Sequence, residues 1–224
     1  MTLYNDVVPF TAHYTPADLP PTIPRVPDSP RYLTPYVNAA RRHGGGFESL
    51  LWASQQTQAA RFGALVQLAS PKGQSVLDVG CGRADFLDYC IATGVPPADY
   101  VGIEAVPALA DAAEAKRLAN VTIKRADFVQ HPLSMFVAAD VIVFSGSLNT
   151  LDPTSFYATI RRAFDATASV LAFNFLCSPG LAAAEFLHWH RVTDVLTFAR
   201  SLSDDVTSLT DYLDGDATVA MRKP

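Results

Sequence analysis

The chain has 224 residues, 49% of them hydrophobic and 17% charged, with a formal net charge of −5. That length holds one large domain with an extension, and the apolar content supplies a full core, yet no uninterrupted run reaches the ~18 apolar residues of a membrane span. The acidic balance gathers cations at Arg41-Arg42 and Lys124-Arg125 no further than pairs, which lacks the electrostatic footprint of nucleic-acid binding.

Residues 1 to 36 carry eight of the sixteen prolines together with Tyr4, Tyr14, Tyr32 and Tyr36. Proline at that density opposes regular helix or central strand. The aromatic content distinguishes the stretch from a disordered tail, so residues 1–43 read as an extended arm lying against the domain, either as plain packing or as a lid over a substrate. Met1 to Asp6 lack the basic and long apolar regions of a secretory signal, and the expected location is cytoplasmic. The run His43-Gly44-Gly45-Gly46 is a breaker, the hinge of the arm if it is a lid, and residues 44–224 form the domain proper. Apolar residues at Leu50, Leu51, Ala59, Phe62, Leu65 and Leu68 then predict a helix over 47–69. Within it Gln58 and Arg61 share a face.

From Ser75 onward strand and helix patterns alternate, as in βαβ units that build a parallel sheet. Val76 to Val79 is a buried-type strand, followed by Gly80-Cys81-Gly82 and a helix from about Ala84 to Thr93. The glycines let the backbone turn sharply and approach a ligand. Asp85 stands where a dinucleotide fingerprint needs glycine, and its charge would repel a pyrophosphate. Asp78, two residues before Gly80, would attract a cation instead. Tyr100 to Glu104 is a second strand ending in an acid 22 residues past Gly82, placed to accept both hydroxyls of a ribose, with Ala105 beside it.

A helix is predicted over 107–118, a strand over 121–124, then Asp127-Phe128. Asp140 to Phe144 is a fourth strand running into Ser145-Gly146-Ser147-Leu148-Asn149, at the carboxyl edge where open α/β sheets bind ligands. Asp152-Pro153 opens a helix as N-cap and first-turn proline. Ser169 to Phe175 is a fifth strand, and a long helix is predicted over 181–200. Strand patterns at 206–213 and 217–221 flank Asp214-Gly215, a hairpin signal. Cys81, Cys90 and Cys177 show no C-x-x-C pair and read as buried thiols, with no metal set.

The run Asp78-Val79-Gly80-Cys81-Gly82-Arg83-Ala84-Asp85 resembles motif I of class I S-adenosylmethionine (SAM)-dependent methyltransferases. Trp52-Ala53-Ser54 through Gln58 to Arg61-Phe62, with Ser145-Gly146 and Asn149, resembles segments of a bacterial group within that class. The resemblance implies an α/β, Rossmann-like domain whose seven-stranded, mostly parallel sheet ends in an antiparallel hairpin. It also implies SAM as cofactor and S-adenosylhomocysteine (SAH) as product. On that basis Asp78, Gly80, Cys81, Gly82, Glu104 and Ala105 surround the cofactor. Asp127 takes the adenine amine, Phe128 flanks the ring, Ser145 and Gly146 face the reactive methyl, and Arg61 meets the carboxylate of SAM. Ala84 departs from the family's third glycine.

The expected function is methyl transfer to a small-molecule acceptor. The D/N-P-P-Y/F sequence of amino-methyltransferases acting on DNA or protein is absent. A non-catalytic SAM-binding module and a NAD(P)-binding oxidoreductase domain are the alternatives. Should a base be needed, Asn149, His190 and Tyr36 are the candidates; the choice between monomer and homodimer stays open.

Overall fold

The computed structural model describes residues 29–224, so most of the expected arm lies outside the described residues. The part that is described is not extended. Thr34–His43 forms helix α1, with Pro35 in its first turn, where the missing N–H costs nothing. Density of proline misled the reading here because only the position of a proline within the helix decides its effect.

After α1 a 3₁₀ turn spans Phe47–Leu50 and helix α2 spans Gln55–Ala69. The single helix expected over 47–69 is therefore broken. Leu51 has a positive φ of 57°, and Ser54 caps α2 by accepting from the Thr57 amide at 3.1 Å while the Thr57 hydroxyl accepts from the Ser54 amide at 3.2 Å. A reciprocal cap of this kind starts a helix afresh.

The sheet follows in βα alternation. Its elements are β1 (Ser75–Val79), α3 (Asp85–Ala92), β2 (Asp99–Glu104), α4 (Pro107–Glu114), β3 (Val121–Arg125), β4 (Val141–Phe144), α5 (Pro153–Ala166), β5 (Val170–Leu176), α6 (Val192–Arg200), β6 (Asp205–Leu209) and β7 (Asp216–Arg222). The spatial order is β3-β2-β1-β4-β5-β7-β6, with β7 antiparallel to both β5 and β6. This is the expected seven-stranded, mostly parallel architecture with its terminal antiparallel hairpin. Between β1 and β4 the order reverses direction, which opens a crevice above their carboxyl ends.

Alternation along the central strands loads both faces. Ile142 and Phe144 join Leu77, Phe156 and Phe173 on one side, while Val141 and Val143 join Phe62, Phe86 and Tyr100 on the other. Every residue of β4 and β5 is buried; β3 and β6 at the edges are half open to solvent.

Two further expectations change. The helix over 181–200 contracts to α6, because the Leu176 carbonyl takes the His190 amide at 2.9 Å and the Asn149 carbonyl takes the His188 amide at 2.7 Å. Those amides are then lost to a helical ladder. The first hairpin strand stops at Leu209 rather than 213, and the chain curls so that Tyr212 reaches Asp216.

Replacing Ser54 by Ala removes one half of the reciprocal cap, and urea unfolding should show a loss of about 1 kcal/mol.

Candidate cofactor site

The glycine turn after β1 is held by the end of β2. Gly80 and Cys81 donate their amides to the Ile103 carbonyl at 2.8 and 3.0 Å, and Gly82 donates to Glu104 Oε2 at 2.8 Å. Glu104 Oε1 accepts from the Val106 amide at 2.7 Å. Burial raises the Glu104 carboxyl from its ordinary range, while these amides pull it back down. Each carboxylate oxygen keeps a further lone pair for a ligand hydroxyl.

Gly80 and Gly82 have φ of 74° and 56°, and a Cβ on Gly80 would stand 2.4 Å from Ser147 Cβ. Ala84, at the third glycine position, also takes the left-handed conformation, with φ of 58° and no exposure.

Asp78 is buried beneath this turn and accepts from the Tyr100 hydroxyl at 2.6 Å. Burial pushes it up to about 7, against the downward pull of that hydrogen bond. Cys81 is buried against Gly102, and burial holds its thiol well above the usual range. Asp85 in the first turn of α3 accepts from Gln58 at 3.2 Å, and Arg83 and Lys116 lie 3.4 and 3.6 Å from it.

A cavity of roughly 30 Å³, room for about one water molecule, lies over the turn and is lined by Leu50, Trp52, Asp78, Gly80, Gly82 and Ser145 among others. The Ser145 hydroxyl is buried there with no hydrogen-bond partner among the described residues.

Phe128 packs edge-on against Phe144 at 5.7 Å and reaches the glycine turn. Asp127 Oδ1 accepts from the amides of Val129 and Gln130, and Oδ2 accepts from the Tyr32 hydroxyl at 2.7 Å. Gly146 donates its amide to Asn174 Oδ1 at 2.9 Å. Ala105 lies between Glu104 and Val106, whose amide grips that acid.

Arg61 is a correction. In place of an open guanidinium awaiting a carboxylate, the structure shows it buried, with Nε 2.6 Å and one Nη 2.5 Å from Asp216 Oδ2 and its Cζ over Trp52, 4.8 Å from the ring centroid.

None of the candidate bases lines the cavity. His190 stacks on Phe156 at 3.8 Å, with burial pushing it down to about 4. Asn149 Oδ1 is taken by the Leu176 amide at 3.3 Å. Tyr36 lies close enough to Glu104 and Arg61 to feel both charges, and burial first, then Glu104, push its phenol up to about 12. Sequence reasoning assigned no role to Tyr100 or Asp216 and placed Tyr32 only within the arm, without a partner.

A doubly wound sheet with a glycine turn and an acid at the next strand tip defines the class of nucleoside-cofactor α/β folds. A family model described as "Methyltransferase domain" matches residues 51–199, and the chain belongs to that family. Among solved structures, the DhpI–SAM–HEP complex superposes with TM-score 0.64 at 13% identity, over 87% of this chain and 96% of that one. Magnesium protoporphyrin IX methyltransferase (ChlM) from Synechocystis PCC 6803 with bound SAH gives 0.58 at 16%, over 76% and 83%. A SAM-dependent methyltransferase from Archaeoglobus fulgidus gives 0.60 at 15%, over 79% and 98%. No curated protein sequence matches the chain. Two of these structures hold SAM or SAH, and SAM is the cofactor that a methyltransferase domain implies. The site's chemistry fits that cofactor, since two buried carboxylates, an unpartnered hydroxyl and a close-approach turn converge on one place.

To serve a cationic ligand Asp78 would have to be ionised, and with its carboxyl pushed up to about 7 the expected SAM affinity depends on pH. Titration calorimetry should find SAM bound about tenfold more weakly at pH 5.5 than at pH 8, with the dependence gone in Asp78→Asn. Stability should run the other way. The folded carboxyl binds a proton more tightly than the unfolded one at about 3.9, so its burial cost is full above pH 7 and fades as pH falls toward 4. Asp78→Asn should therefore raise the melting temperature most at pH 8 and least near pH 4.

Proposed function

We propose that this methyltransferase acts on a small-molecule acceptor. The observation that carries the reading is a roof over the carboxyl edge of the sheet. Leu50 stands against Gly82, Trp52 against Gly146, and Tyr32 on Asp127. A macromolecular acceptor needs an open face, whereas a roofed crevice suits a compact one. Such a site also excludes water from the transfer.

SAM supplies an electrophilic methyl group when bound. The residues proposed to hold it are Asp78, Gly80, Cys81, Gly82, Glu104, Ala105, Asp127, Phe128, Ser145 and Gly146. Glu104 accepts the ribose hydroxyls and Asp127 the adenine amine; Asp78 balances positive charge. The cavity is far smaller than an adenosyl group, so the segment from Gly44 to Leu51 has to withdraw for loading. Gly44, with φ of 60° and open space around it, is the pivot. Gly45 is less suited, because a Cβ there would meet the Ala108 carbonyl at 2.7 Å; the proposed hinge narrows accordingly.

Positioning of the acceptor supplies much of the rate in an in-line displacement. An acceptor hydroxyl or ammonium also has to lose its proton. His190 is poorly basic and Asn149 is engaged in the β5 connection. Tyr36 is held as a donor at neutral pH, so it is proposed to orient the acceptor rather than deprotonate it.

No helix among the described residues is long and apolar enough to cross a membrane, and the proposed location is cytoplasmic. The test is transfer of labelled methyl from SAM into a cell extract: label should appear in the low-molecular-mass fraction, and label in protein or nucleic acid would overturn the acceptor class. Binding without any transfer would favour a SAM-binding module, and clear affinity for NAD would favour the oxidoreductase reading.

Glu104→Gln places an NH₂ against a backbone donor and removes a charged acceptor. SAM and SAH should both lose about 1.5 to 3 kcal/mol of affinity, read by calorimetry, and an unchanged affinity would remove Glu104 from the ribose.

A further inference from the structure

We propose that Trp52, backed by the Arg61–Asp216 pair, reads the positive charge of the cofactor and so distinguishes SAM from its product SAH. The inference rests on the cofactor site described above. Substrate and product differ by one methyl group and one charge, and an enzyme that binds both equally is inhibited as product accumulates. A device that senses the sulfonium is therefore a specificity determinant.

Trp52 lines the cavity together with Asp78, Gly80 and Ser145. Its ring is fixed from several sides. A Cβ on Gly146 would lie 3.0 Å from the six-membered ring, Phe62 meets it edge-on at 6.4 Å, and the Arg61 guanidinium lies over it at 4.8 Å. The face of an aromatic ring attracts a cation through its quadrupole, most strongly when both are removed from water. A neutral thioether receives no such attraction.

An uncompensated guanidinium behind the ring would oppose a sulfonium in front of it. Asp216 cancels that charge. It is fully buried, holds two guanidinium nitrogens at 2.5 and 2.6 Å, and takes the Tyr212 hydroxyl as well. Tyr212 in turn accepts from Thr218 at 2.7 Å, so the acid has no freedom to swing away. A buried ion pair adds little stability over a hydrophobic replacement. Its use here is to give Trp52 a rigid backing that adds no net charge.

The other charged groups around the cavity are consistent with this. Asp78 faces it from β1, and Asp85 lines it from α3 with Arg83 and Lys116 beside that acid.

The test is calorimetry at pH 8 with three ligands: SAM, SAH, and an SAH analogue bearing an ammonium group in place of the sulfonium. Trp52→Leu should lower the preference for SAM over SAH about tenfold and weaken the ammonium analogue in parallel, while Trp52→Phe keeps the preference within about threefold. Asp216→Asn, which leaves Arg61 uncompensated, should also lower the preference. The double variant Arg61→Met with Asp216→Leu removes both charges and should keep it within about threefold, so it remains decisive if Asp216→Asn does not fold. Equal weakening of all three ligands in Trp52→Leu, or an unchanged preference, would overturn the inference and leave Trp52 as packing. Failure of the wild-type protein to bind SAM or SAH would instead overturn the cofactor site on which it rests.

Discussion

A buried carboxylate at the tip of β2 is the tie on which the site depends. Glu104 receives the amide of Gly82 from the turn after β1 and the amide of Val106 at the head of α4, so one side chain ties two loops together. Charge-assisted bonds of this kind are about twice as strong as neutral ones. Because Gly80 and Cys81 hang from the neighbouring Ile103 carbonyl, the whole glycine turn is suspended from the second strand. Its shape is set before any ligand arrives. Preorganisation of this kind lowers the ordering cost at binding.

The acids in this region are handled in three ways. Glu104 is given backbone amides; Asp78 is given only Tyr100; Asp216 is given a full cationic partner. Asp78, with one hydroxyl set against its burial, is pushed up to about 7, and a cationic ligand would relieve that burial. In the proposed site, stability of the empty protein and affinity for the cofactor would be opposed at this residue, a trade expected where function requires a poorly solvated charge.

Much of this was legible in the sequence, and the parts that were not share a cause. The glycine turn, the acid 22 residues on, the Asp152-Pro153 helix start and the terminal hairpin are local patterns, each with a mechanism acting within a few residues or one βαβ unit. Asp152 does cap α5, accepting from the Ser155 amide at 3.0 Å. The pair Arg61–Asp216 joins residues 155 apart in the chain, and Tyr32–Asp127 spans 95. No periodicity announces such partners. For Arg61 the sequence indicated a cation on a helix face beside Gln58, which is correct, but it did not indicate which anion would reach it first. The break at Leu51 and the irregular path over 181–191 were missed for a related reason: apolar spacing registers where side chains are buried and is silent about backbone amides bonded elsewhere.

The two outermost strands have a consequence for the behaviour of the molecule in a crowded solution. An open sheet ends in rows of unpaired backbone groups that can recruit strands from another chain. Here β3 and β6 are the strands least covered by the rest of the fold, and β3 ends in Lys124 and Arg125, the latter bonded to Asp111 and Glu114. On the other side β6 begins at Asp205, with Arg222 of the adjoining strand 3.5 Å away. Charge at both margins makes an incoming strand desolvate ions before it gains a single ladder bond. The apolar run of Val141 to Phe144, which would propagate a fibre if it were exposed, sits three strands in from one margin and three from the other, and the sheet is guarded against its own centre.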